Sequence, residues 1–214
     1  MSTLLVPYYE HPAVRPAEWA AVLAAAPRLY GVVLNPASGP GTAPDPAFAE
    51  VAARLRAADV RVLGYTDTAY GRRPPAEVAD DLARHRAWYA TDGVFLDQVA
   101  SGPGDLPYYR GLAHAARAAG CRSLTLNPGT PPHPGYARVA DVLVTFEGPW
   151  AAYRTRRPPA PAVAAVQCHL VHGVPAGADC AGLARSPGAG LHCAVPGTGD
   201  HPWGTLPHTL EPVR

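Results

Sequence analysis

Four short apolar runs, each closed by a polar residue at nearly even spacing, constrain this chain more than any other feature. Asn35 closes the run from Tyr30, Asp67 the run from Val60, Asp97 the run Val94-Phe95-Leu96, and Asn127 the run from Ser123. These ends fall 32, 30 and 30 residues apart, close to the roughly 30 residues of a βαβ unit. Runs of this length bounded by turn formers suit strands buried on both faces of a parallel sheet. Between them lie stretches with helical periodicity. Pro16 to Ala26 carries Trp19, Val22 and Leu23, and Asp45 to Ala58 opens on a capping aspartate and places Phe48, Val51, Ala52 and Leu55 on one face. Pro75 to Tyr89 and Leu106 to Ala119 follow the same pattern, the latter stopped by Gly120.

Further runs at Leu4 to Tyr9, Val142 to Phe146, Ala162 to Leu170 and Leu191 to Val195 bring the candidate strands to eight. The link between Leu126 and Val142 has room for about one helical turn near Tyr136 to Ala140, and a small helix is expected from Ala178 to Ser186. The predicted fold is α/β: a single compact (β/α)8 TIM-like barrel over residues 1–214 with some short or missing helices, in which the proline-rich tail 196–214 packs across one end. An open doubly wound sheet is the runner-up. A Rossmann fold is disfavoured because no G-x-G-x-x-G run lies between a strand and a helix.

The barrel gives the polar ends a meaning. Asn35, Asp67, Asp97, Asn127, Glu147 and His172 all fall at carboxyl ends of strands, the face where barrel enzymes keep their sites. Alternate strands supply each inward layer, so Asp97 and Glu147 can reach one level of the mouth and form a carboxylate pair. Glycoside hydrolysis needs such a pair, one acid to protonate the departing oxygen and one to attack or stabilise the developing oxocarbenium centre. Tyr8, Tyr9, Tyr65, Tyr70 and Trp150 lie near the same ends, where amphipathic rings can stack on sugar faces.

The charge pattern narrows the partners. A formal charge of +1 with 18 scattered arginines and no lysine leaves no basic face for nucleic acid. No apolar stretch approaches the eighteen residues of a membrane span. The N-terminus lacks a basic region and a cleavage site, which predicts a cytoplasmic protein, or a secreted one whose signal has been removed. Cys121, Cys168, Cys180 and Cys193 lack the dense spacing of a disulfide scaffold and read as buried thiols. Cys168, His169, His172, Cys180, His192 and Cys193 crowd the last third but match no zinc spacing, so neither a metal nor a cofactor is expected. The oligomeric state is not legible.

Several segments together resemble the spherulin-4 (spherulation-specific family 4) proteins: Leu5-Val6-Pro7-Tyr8-Tyr9, Leu34-Asn35-Pro36 with Ser38-Gly39-Pro40-Gly41, Gly64-Tyr65 with Tyr70-Gly71, Asp92 to Asp97, Thr145 to Gly148, and Pro202 to Pro207. The resemblance implies a barrel glycoside hydrolase cleaving α-1,4-linked galactosamine- or N-acetylgalactosamine-containing polysaccharide, with Asp97 and Glu147 on the family's catalytic acids. It also implies a departure, since the hydrolases carry a second acid directly after the first and this chain has Gln98. Glu147 is expected as general acid/base and Asp97 as nucleophile or stabiliser, with the reverse assignment open. Tyr8, Tyr9, Asn35, Tyr65, Asp67, Tyr70, Gln98, Asn127, Trp150 and His172 are expected to bind substrate. The alternatives are a non-catalytic carbohydrate-binding barrel and an intracellular enzyme acting on a small glycoside or biosynthetic intermediate.

Overall fold

The computed structural model describes residues 4–156, 165–178 and 189–212. Eight parallel strands close into a barrel in chain order. They are β1 (Leu4–Pro7), β2 (Leu29–Leu34), β3 (Arg61–Asp67), β4 (Gly93–Asp97), β5 (Ser123–Leu126), β6 (Val142–Pro149), β7 (Val166–His172) and β8 (Ala189–Ala194). The last pairs back onto the first through Leu4 and His192. Outside them lie α1 (Pro16–Ala24), α2 (Pro46–Ala57), α3 (Pro75–Tyr89), α4 (Leu106–Ala118) and a six-residue α5 (Trp150–Thr155) that the sequence pattern did not disclose. Between β5 and β6 the chain makes only the 3-10 turn Pro134–Arg138. The start of the expected seventh run at Ala162, the expected helix from 178 to 186 and Cys180 lie largely or wholly outside the described residues.

The helices form where local chemistry starts them. Pro46 opens α2 while the Asp45 carboxylate accepts hydrogen bonds from the amides of Ala47 and Phe48, and the helix buries Phe48, Val51, Ala52 and Leu55. Asp45→Ala is expected to cost about 1 kcal/mol, read as a lower urea midpoint; an unchanged midpoint would show the cap idle. In α3, His85 packs where Gly64 of β3 has no side chain, since a Cβ there would come within 2.5 Å of the imidazole. His85 Nε2 lies 2.6 Å from the Tyr65 carbonyl. Burial holds this histidine down at about 4, so the ring is neutral and Nε2 carries the donated proton.

Aspartates at the amino ends of the strands stitch the floor of the barrel. Asp92 accepts from the Val62 amide and pairs with Arg122, and Asp141 accepts from the Leu124 amide and pairs with Arg117. Alternation then decides what lies inside. Leu63, Tyr65 and Asp67 align with Gly93, Phe95 and Asp97, and these with Ser123 and Thr125, all on the inner face. Only the first part of the tail packs at an end of the barrel. Its Trp203 sits at the mouth, where the carbonyl accepts from Tyr9 N at 3.1 Å. At its other extreme Thr209 is held by Arg28, beyond the far end of α1. The tail thus runs down the outer wall beside α1, burying Leu206 and Leu210, where a helix after β8 would lie.

Candidate active site

The mouth is built by the next inward residue of each strand. Asp97 ends β4, and Asn127 follows β5 directly. Glu147 reaches the same face through an irregularity. In β6, Val144 pairs with Cys168 but Phe146 pairs with His169, the residue next to it, so Thr145 is an extra residue in the ladder. Without this bulge Phe146 would face inward and Glu147 outward. With it, Phe146 turns out against Tyr153 and His169, and Glu147 turns into the mouth.

One amide joins the two acids. Asn127 Nδ2 donates to Asp97 Oδ1 at 2.7 Å and to Glu147 Oε2 at 2.5 Å, while its Oδ1 accepts from Gly129 N at 3.0 Å. That third bond fixes which end of the Asn127 amide is nitrogen. The Gly129 carbonyl in turn accepts from Glu147 N. The remaining oxygens are held separately, Asp97 Oδ2 by the Tyr65 hydroxyl at 2.8 Å and Glu147 Oε1 by the Trp203 indole N–H at 3.0 Å. Burial pushes both carboxyls above their ordinary values. Donors partly offset this at both, Tyr65, the Gln98 amide and Asn127 at Asp97 and Asn127 and Trp203 at Glu147. The charge of Asp67 adds to it at Asp97, and the charge of Asp97 adds to it more strongly at Glu147. Tyr9, edge-on to Tyr65 at 5.7 Å between ring centres, is held protonated by burial and by both carboxylates.

Other expected residues divide between mouth, rim and wall. Asp67 is aligned with Asp97, and its Oδ1 accepts from Ala69 N at 2.6 Å. His172 lies edge-on to the Trp203 ring, with burial lowering its pKa. Tyr70 is half exposed on the rim, where Tyr70 and Gln98 both take left-handed backbone conformations and are tied by a 2.7 Å bond from Tyr70 N to Gln98 O. Asn35 stays beside the mouth but spends its side-chain oxygen on Gly39 N.

Two expectations fail on geometry. Tyr8 points outward into the core, 1% exposed and packed on Trp19. Parity explains it: Tyr9 shares the inner face with Leu5 and Pro7, and Tyr8 takes the other. Trp150 stacks on Tyr153 in a cluster outside β6 and β7. The cysteine and histidine crowd is divided by the sheet, with Cys168 and Cys193 inside and His169 and His192 outside. Cys121, Cys168 and Cys193 are buried free thiols. Trp203, as an individual site residue, was missed; its one signal is a large ring in a Pro/Gly-rich tail with no helix or strand face to bury it.

A family model described as Spherulation-specific family 4 matches residues 3–189. The chain belongs to spherulation-specific family 4. Within that family, Spherulin-4 of Physarum polycephalum is 34% identical over 149 residues, 67% of this chain and 44% of that protein. The chain therefore spans under half the length of this relative. Sph3 of Aspergillus clavatus, solved in complex with GalNAc, superposes with a TM-score of 0.84 at 26% identity, covering 98% of this chain and 94% of Sph3. The spore cortex-lytic enzyme SleL of Bacillus cereus shares the barrel alone, at a TM-score of 0.51 and 9% identity over 79% of this chain and 50% of SleL.

Proposed function

We propose that this spherulation-specific family 4 chain is a glycoside hydrolase that cleaves α-1,4-linked galactosamine- or N-acetylgalactosamine-containing polysaccharide with two carboxyl groups. The observation that carries this reading is the pair Asp97 and Glu147, half-buried in the mouth and hung from one Asn127 nitrogen. The GalNAc complex of Sph3 supports the sugar class. Asp67 beside Asp97 would add charge-assisted bonds to the ammonium of a deacetylated sugar.

The environments support distinct roles in this reading. Glu147 is the general acid/base: burial and the charge of Asp97 keep its proton on until the glycosidic oxygen takes it. Asp97 is the nucleophile, its anion supported by Tyr65, Asn127 and the Gln98 amide. Proton transfer from Glu147 and attack by Asp97 at the anomeric carbon give a glycosyl-enzyme. Glu147 then takes a proton from water as that water displaces Asp97.

The two oxygens bonded to Asn127 Nδ2 lie at most about 5 Å apart, since neither bond exceeds 2.7 Å. This spacing of the nearest oxygens favours retention, for which roughly 5 to 5.5 Å is usual, over inversion at roughly 6.5 to 9.5 Å. The first sugar released from an α-linked substrate is accordingly expected as the α-anomer by proton NMR; initial β-anomer would refute the double displacement. Digestion of α-1,4-galactosamine and N-acetylgalactosamine polymers, read by product mass, tests the function itself. Binding without shorter products would favour the carbohydrate-binding alternative, for which Gln98 is the specific observation.

A further inference from the structure

The residues matched to the family model end at 189, before the tail begins, yet the tail supplies one of the two bonds on Glu147. Trp203 is anchored from several directions. Its carbonyl accepts from Tyr9 N, its ring meets His172 edge-on at 6.3 Å, and its side chain is 7% exposed. The loop that carries it is closed on itself, Gly197 N donating to Thr205 Oγ1 and that hydroxyl donating to the Pro202 carbonyl. A Cβ on Gly197 would collide with the same carbonyl region, 2.6 Å from Thr205 Oγ1. The indole N–H is thus delivered to Glu147 Oε1 by a rigid, tightly folded element.

We infer that Trp203 is a positioning residue for Glu147: its N–H and the Asn127 amide clamp the two carboxyl oxygens from opposite sides, fixing the plane of the acid and setting how readily it gives up its proton. The bond strengthens when Glu147 is ionised, because an N–H donates better to a carboxylate than to a carboxyl. The other ionisable groups that act on or are acted on by Glu147 are Asp97, Tyr9, Tyr65 and the buried Cys168 thiol, with His172 behind the indole. Of these, Asp97 and His172 change charge at or below the ordinary histidine range; at Glu147 itself Asp97 and Trp203 act in opposition, the charge retaining the proton and the indole releasing it.

Trp203→Phe keeps an aromatic ring and removes the donor. The alkaline limb of the kcat/KM profile, which follows ionisation of the acid, is expected to move up by about one pH unit, a tenfold change in proton affinity. This kinetic readout rests on the hydrolase reading, so the deciding measurement is made without turnover. In the wild-type protein the Trp203 indole proton resonance is expected to move through the titration of Glu147, and to stop doing so in Glu147→Gln. Carbon-13 titration of the Glu147 carboxyl should shift upward in Trp203→Phe. An indole resonance indifferent to Glu147, or an unchanged carboxyl titration in folded Trp203→Phe, overturns the inference. Absence of hydrolysis in the wild type, with both NMR results as expected, would instead sink the hydrolase reading and leave the clamp standing.

Discussion

Glu147→Gln and Asp97→Asn are each expected to lower hydrolysis by about a thousandfold or more while leaving the barrel folded, because each removes a group that gains or loses a bond to the reacting centre. Rates on an α-1,4-galactosamine oligomer and circular dichroism of the same samples provide the check; near-full activity in either variant refutes the assignment. The pair also writes itself into stability. In the fold both carboxyls hold their protons to higher pH than in the unfolded chain, burial being the leading cause. Their contribution is therefore complete below the ordinary carboxylate range and is lost as pH rises through the raised values. The unfolding midpoint of the wild type, taken relative to Glu147→Gln, should accordingly fall as pH rises above the ordinary carboxylate range. A constant difference across that range would show that Glu147 is not perturbed.

Gly93→Ala is expected to be the most damaging change to the fold itself. Gly93 opens β4 on the inner face, where an added Cβ would run into the Ser123 carbonyl, 2.8 Å from Leu63 Cδ2 and 2.9 Å from Ser123 Cβ. Two of those obstacles belong to β5, one of them backbone, and the third to β3, so relief requires β4 and β5 to part. A loss of about 3 kcal/mol or more is expected from denaturant unfolding, at the upper end of what overpacking costs. Gly111 in α4 makes the matched control, since its Cβ would meet nothing within 4 Å. Gly111→Ala should instead stabilise by about 0.5 to 1 kcal/mol. Equal midpoints for the two variants would contradict this reading of the barrel interior.

Much of the barrel is legible in the chain because its strands are short, apolar and stopped by polar residues at regular intervals. Asp45 announced α2, and the polar stops at Asp67, Asp97 and Asn127 gave the mouth its ring. Position within a strand was harder to read than existence. Tyr8 and Tyr9 are chemically alike and adjacent, and only the registration of β1 on β2 sends one inward and the other into the core. Glu147 faces the mouth for the opposite reason, because a one-residue irregularity at Thr145 breaks the alternation a reader would count. The helix α5 is six residues long, too short to show a period. Trp203 meets Glu147 across 56 positions of sequence, a relation that no local pattern encodes.

Hanging both acids from Asn127 yokes three successive strand ends into one unit. The chemistry of such a mouth is difficult to alter piecemeal, for a shift in β4 is felt at once in β6. The rim is under no such restraint: the side chains of Asp67, Tyr70 and His172 make their contacts with Ala69, solvent and Trp203 and are not bonded to the carboxyl pair. On the proposed reading, substitutions at the rim are therefore the ones that can change which sugar is bound while the carboxyl pair stays as it is.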